Sequence, residues 1–156
     1  MAIIEIGFRI PEETVRLESE RCPATMTLDD LEWCFGGEVD FVDGQSRQLL
    51  LSLDVCLLGF THDLSKIIEQ LHTDGRYDMP DRYGTYLLDF TVQGRDVHVG
   101  NGGHAFTAES RQFITALRHF WESLKTKLVR HFPGLRQNPA FSWLCQDLDE
   151  RFATHA

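Results

Sequence analysis

The chain opens on a β-branched run, Ile3, Ile4, Ile6, Phe8 and Ile10, which predicts a strand. Val15 and Leu17, alternating with Glu13, Arg16 and Glu18, predict its hairpin partner, with Pro11 at the bend. Thr25 to Phe35 reads two ways: Thr27-Leu28-Asp29-Asp30-Leu31 can start a short helix, whereas Trp33, Cys34 and Phe35 favour extension up to Gly36-Gly37. Glu38 to Val42 then alternates charge and bulk, Asp43-Gly44 is a turn dipeptide, and Gln48 to Leu58 is a long apolar run. This pattern predicts a hairpin with a central second strand. Leu49, Leu51, Leu53, Val55 and Leu57 share one face, while Leu50, Ser52, Asp54, Cys56 and Leu58 share the other, so both faces are expected to be covered at least in part.

Beyond Thr61 the period changes. Leu64, Ile67, Ile68 and Leu71 keep helical spacing, with Thr61 or Asp63 as cap and Gly75 past the end. Arg76 to Arg82, interrupted by Pro80, reads as a loop; Tyr83 to Val92 reads as a strand that Gln93-Gly94 turns into Arg95 to Val99. After Gly100-Asn101-Gly102-Gly103, Thr107 is the expected cap of a long helix with the stripe Phe113, Ile114, Leu117, Phe120, Trp121, Leu124 and Leu128, which Pro133-Gly134 stops. Asn138 and Pro139 open a last helix striped by Phe141, Leu144, Cys145, Leu148 and Phe152, with Asp147, Asp149 and Glu150 expected in water. The order, without sustained βαβ alternation, predicts a single α+β domain over 1–156: a mainly antiparallel sheet with one short and two C-terminal helices largely on one face.

Composition narrows the class. In 156 residues, 42% hydrophobic and 25% charged, there is enough apolar material for a core and no polar low-complexity tract. The net charge of -9 argues against nucleic acid as the main partner, because phosphate backbones need a basic stripe. Met1 to Ile10 has neither a basic start nor a small-residue cleavage site, so no export leader and no membrane span are expected. The unpaired spacing of Cys22, Cys34, Cys56 and Cys145 reads as reduced thiols, with Cys56 and Cys145 in the core, and points to a cytoplasmic protein.

Chemistry-bearing residues are scattered. Asp54 and Asp89 interrupt apolar strands, and with His62, His98 and His104 they form the one set that would suit a metal-dependent or acid/base hydrolase. No HExxH, His-x-His or Asp-x-Asp spacing accompanies them, and the favoured reading leaves both aspartates at the sheet rim or paired with an arginine. No catalytic residue, metal or cofactor is therefore assigned. The Gly100–His104 glycine run, placed between a strand and a helix, matches no phosphate-binding spacing and reads as a connector. Ser52 and Ser110 lack a GxSxG setting, and none of the four cysteines is read as having a basic neighbourhood that would lower its pKa, Arg21 beside Cys22 being a single charge and not a cluster.

Charge is unevenly divided. Met1 to Asp78 holds 16 acidic against 6 basic residues, and Met79 to Ala156 holds 8 against 9. The densest stretch carries Asp29, Asp30, Glu32, Glu38, Asp40 and Asp43, interleaved with Trp33, Phe35 and Phe41. Such a run is either a solvated face or a surface that steers a basic protein electrostatically and then anchors it through aromatic contact. The run Leu49 to Leu71, followed by a hairpin and a helix ending in HFPGLRQNPAF, resembles the layout of small acidic bacterial toxin-immunity proteins. That resemblance implies a cytoplasmic, non-enzymatic inhibitor that occludes a basic toxin or enzyme. A homo-oligomeric assembly protein, in the simplest case a homodimer, is the remaining alternative.

Overall fold

A computed structural model describes residues 2–80 and 86–155 and shows an α+β fold with two antiparallel sheets. The first strand, β1 (Ile4–Arg9), is followed by a helix, α1 (Glu12–Glu20), in place of the expected hairpin partner. Pro11 at the N-cap is already extended, and Glu12 and Glu13 in the first turn suit the positive helix end. Thr14 and Glu18, four apart, turn inward, and Thr14 Oγ1 donates to the Gly36 carbonyl at 2.9 Å.

The ambiguous stretch resolves as a helix, α2 (Leu28–Trp33), opened by a capping box between Thr27 and Asp30. Phe35, with φ of +57° and its ring packed 4.9 Å from that of Phe132, turns the chain into β2 (Gly36–Asp43). Strand β2 takes the centre of a three-stranded sheet, with β1 on one side and β3 (Leu49–Cys56) on the other. The expected central strand is thus an edge strand. It also ends earlier than expected, because Leu57 and Leu58 already belong to α3 (Leu57–Ile68). Thr61 does not cap that helix: its hydroxyl donates to the Leu57 carbonyl from the helix interior.

A second sheet has the order β4 (Gly75–Pro80), β5 (Tyr86–Gln93), β6 (Asp96–Asn101) and β7 (His104–Glu109). The expected loop from Arg76 is therefore a strand as far as Pro80, and the part of that loop and of the following strand at 81–85 lies outside the described residues. The Gly100–His104 run makes the tight turn between β6 and β7, so it joins two strands and not a strand to a helix. Thr107 accordingly lies within β7.

The long helix α4 (Ser110–His131) and the last helix α5 (Pro139–His155) follow, making five α-helices among the described residues. The stripe of α4 is buried as expected, and Phe113 lies between the sheets, 6.4 Å from Phe41 and 6.2 Å from both Phe90 and Phe106. Gln112 of α4 reaches β1, accepting from the Ile4 N–H and donating to its carbonyl, both at 2.8 Å, and so closes the backbone edge there. Asn138, 1% exposed, caps α5 through Oδ1 and donates through Nδ2 to the Pro23 and Met26 carbonyls at 2.7 and 2.9 Å.

Candidate protein-binding surface

Strand alternation sorts the three-stranded sheet into two faces. Ile4, Val39, Phe41, Leu51, Leu53 and Val55 are buried on the inner one. Glu5, Gly7 and Arg9 of β1, Glu38 and Asp40 of β2, and Ser52 and Asp54 of β3 form the outer one. Register aligns them in rows: Arg9, Glu38 and Asp54 stand side by side, as do Gly7, Asp40 and Ser52. The face is open to solvent: Glu5, Arg9, Ser52 and Asp54 are exposed, and a Cβ placed on Gly7 would meet nothing within 4 Å.

Four carboxylates on this face have limited compensation. Arg9 reaches Glu38 at 3.5 Å and Arg47 reaches Glu5 at 2.7 Å, while Asp40 accepts from the Ser52 hydroxyl at 2.6 Å. Glu38 and Asp54 oppose each other directly with the same sign of charge, a pairing that disfavours the sheet. At the end of these strands, Arg9, Glu38, Asp54 and Cys56 contribute to the lining of a hollow beside Gly36 and Gly37. Gly37 is required there, because a Cβ would come within 2.7 Å of the Arg9 carbonyl and of Leu57.

The residues nominated from charge density separate. Glu38 and Asp40 are on the open face, and Trp33 is 41% exposed at the end of α2. Phe41 is completely buried against Phe106 and Phe113, so it offers no ring to a partner; strand alternation turns it away from its acidic neighbours. Asp29 and Asp30 occupy the first turn of α2, where Asp30 is taken by the capping box. Asp43 accepts from the Gln45 and Ser46 N–H groups in the β2–β3 turn. Glu32 is bound to His62. Glu5 and Asp54, which counting along a contiguous stretch omits, belong to the face; the alternation of Ser52 and Asp54 with buried leucines carries that signal.

His62 of α3 is 7% exposed and lies between two carboxylates. Its Nδ1 meets Glu32 of α2, and its Nε2 lies 3.3 Å from Asp147 of α5. Arg151 continues the network, 3.1 Å from Asp147 and 3.4 Å from Glu69, and Trp143 sets its edge against the imidazole at 6.4 Å between centroids. Trp143, Asp147, Arg151 and His155 recur every four residues, making a polar seam along α5 where water was expected around Asp147. Asp149 is also engaged, accepting from the Trp121 indole N–H at 2.7 Å and from Lys125 at 3.0 Å.

The hydrolase set does not form one constellation. Both ring nitrogens of His62 are occupied by its carboxylates, Asp54 is on the first sheet, and Asp89 is on the second, opposite Asp78 and Gly100. His98 contacts Thr107 Oγ1 at 2.6 Å, and His104 is exposed at a strand end. Among the described residues no three His, Cys, Asp or Glu side chains are grouped to hold a metal ion.

Two thiols are shifted. Burial, reinforced by the hydrogen bond and charge of Glu18 and opposed by Arg21, pushes Cys34 up to about 11. Burial likewise pushes Cys145 up to about 12, with Lys125 opposing and Asp149 reinforcing. Both therefore stay protonated near neutrality and make poor nucleophiles.

No helix among the described residues is long and apolar enough to cross a membrane. No family model matches the chain, no curated protein matches it, and no solved structure matches it.

Proposed function

We propose that the chain is a non-enzymatic protein-binding module whose open acidic sheet face covers a basic partner, in the manner of an immunity-type inhibitor occluding a toxin or enzyme. The observation that carries this reading is the in-register pairing of Glu38 with Asp54 on a solvent-open face. A like-charged pair lowers the stability of the sheet, and a lysine or arginine brought in by a partner relieves it. Trp33 supplies the kind of exposed aromatic side chain that anchors such contacts. A cytoplasmic location and a toxin as the partner are part of the same proposal, resting on the charge and layout of the chain.

The test has two steps. Immobilised chain and its Glu38→Lys/Asp40→Lys/Asp54→Lys variant are used side by side to capture partners at low salt, and the activity of any captured protein is assayed with and without the chain. The proposal expects a basic partner that the variant fails to retain and whose activity falls at equimolar chain. Equal capture by both proteins, or a partner whose activity the chain leaves intact, contradicts it.

A further inference from the structure

The β5–β6 turn docks on the start of α4. Asp74 accepts the Gly94 N–H at 2.8 Å, which holds the turn, and the Arg95 carbonyl accepts the Ser110 N–H, also at 2.8 Å. Around this junction lies a hollow whose lining includes His72, Gly94, Arg95, Glu109, Ser110 and Arg111.

Three observations give the hollow a positive, donor-rich character. Helix α4 is 22 residues long and no side chain caps its N-terminus, so the first-turn N–H groups beyond that of Ser110, and the positive end of its dipole, face this region. The Arg95 and Arg111 side chains are exposed and have no ion pair or side-chain hydrogen bond among the described residues. Ser110, only 8% exposed, belongs to the lining, and its buried hydroxyl finds no hydrogen-bond partner among the described residues. Buried hydroxyls are ordinarily satisfied, and an orphaned one beside two unpaired guanidinium groups at a helix N-terminus marks where an acceptor belongs.

We propose that this hollow is an oxyanion site that takes the phosphate group of a small phosphate-bearing molecule. Arg95 and Arg111 supply charge-assisted donors, the first turn of α4 supplies backbone N–H groups, and Ser110 supplies its hydroxyl by turning its side chain toward the bound anion. Glu109, in the same lining, carries the opposing charge and sets the affinity below what the arginines alone would give. The site is built from elements outside the three-stranded sheet, so it is independent of the acidic face.

Inorganic phosphate is the probe, titrated into the folded chain while backbone amide resonances are followed, with acetate and sodium chloride at matched ionic strength as the other arms. Saturable shifts at Arg111, Gln112 and Phe113 with phosphate are expected, weakened about tenfold by Arg95→Gln or Arg111→Gln and strengthened several-fold by Glu109→Gln. Ser110→Ala should weaken binding with an otherwise unchanged amide spectrum. Equal shifts with acetate assign the hollow to carboxylates and overturn the phosphate assignment. Equal shifts with chloride, no saturation, or shifts indifferent to both arginine variants overturn the site itself.

Discussion

Glu38 and Asp54 stand directly opposite each other in the β2–β3 ladder, on the face of the sheet that is open to water. Arg9, opposite Glu38 on β1, offsets the repulsion from one side only. Replacing Asp54 with Asn should therefore stabilise the chain by a few tenths of a kcal/mol, an amount kept small by solvent screening. Chemical denaturation at low and high salt checks this: the gain should shrink as salt rises, and a loss of stability at low salt would show that Asp54 has a favourable partner.

One buried side chain, Asn138, makes four hydrogen bonds: two accepted from the Ala140 and Phe141 N–H groups cap α5, and two donated to the Pro23 and Met26 carbonyls tie it to the segment before α2. Asn138→Ala removes the cap and leaves the Pro23 and Met26 carbonyls short of donors, for a loss of about 1–3 kcal/mol. Denaturant unfolding measures it directly. An unchanged midpoint would mean that water replaces the amide without cost.

Legibility in the sequence followed the range of the interactions involved. The α4 stripe, the Asn138 cap and the β5–β6 turn rest on spacing or on residues with one dominant conformational use, and they were readable. Val15 and Leu17 misled because a two-residue alternation is too short to separate strand from helix when acidic residues follow a proline. Gln48 to Leu58 misled because an unbroken apolar run hides the point where a buried strand becomes a buried helix. For the candidate surface, Glu38, Asp40 and Trp33 could be named from sequence, whereas Phe41 needed its strand face to be assigned. The His62 seam joins residues 30 and 85 positions away in the chain, and no local pattern reports such a meeting.

The thiols should react in an order set by exposure and protonation. Cys22 is exposed, whereas Cys34 and Cys145 are raised to about 11 and about 12. At pH 8, alkylation of Cys34 and Cys145 should be at least ~10-fold slower than that of Cys22, because only the thiolate attacks. Peptide mapping after a timed alkylation reads this out. Raising the pH toward 11 should speed Cys34, and it should also erode the stability that its protonated form contributes, since a folded-state pKa above the unfolded one favours folding only while the thiol keeps its proton. Cys34 labelled ahead of Cys22 at pH 8 would contradict this ordering.

Trp33 is 41% exposed, so more than half of its surface is covered within the chain itself, and Trp33→Ala should cost about 1–3 kcal/mol of stability, measured by denaturant unfolding before any binding experiment. With the captured partner in hand, Trp33→Ala should raise the dissociation rate while leaving association nearly unchanged, as loss of an anchor does. Surface-based kinetics separates the two rates. An unaltered dissociation rate would remove Trp33 from the interface.

The central claim is that the sheet face carrying Glu38, Asp40 and Asp54 steers a basic protein. Stopped-flow association of the captured partner with the parent chain and with Glu38→Lys/Asp54→Lys, each across a salt series, tests it most directly. The parent association rate should fall at least ~10-fold between low and high salt, and the variant should associate more slowly with a nearly flat salt dependence. Equal rates and equal salt slopes for the two proteins would contradict the account and leave this face as a solvated surface alone.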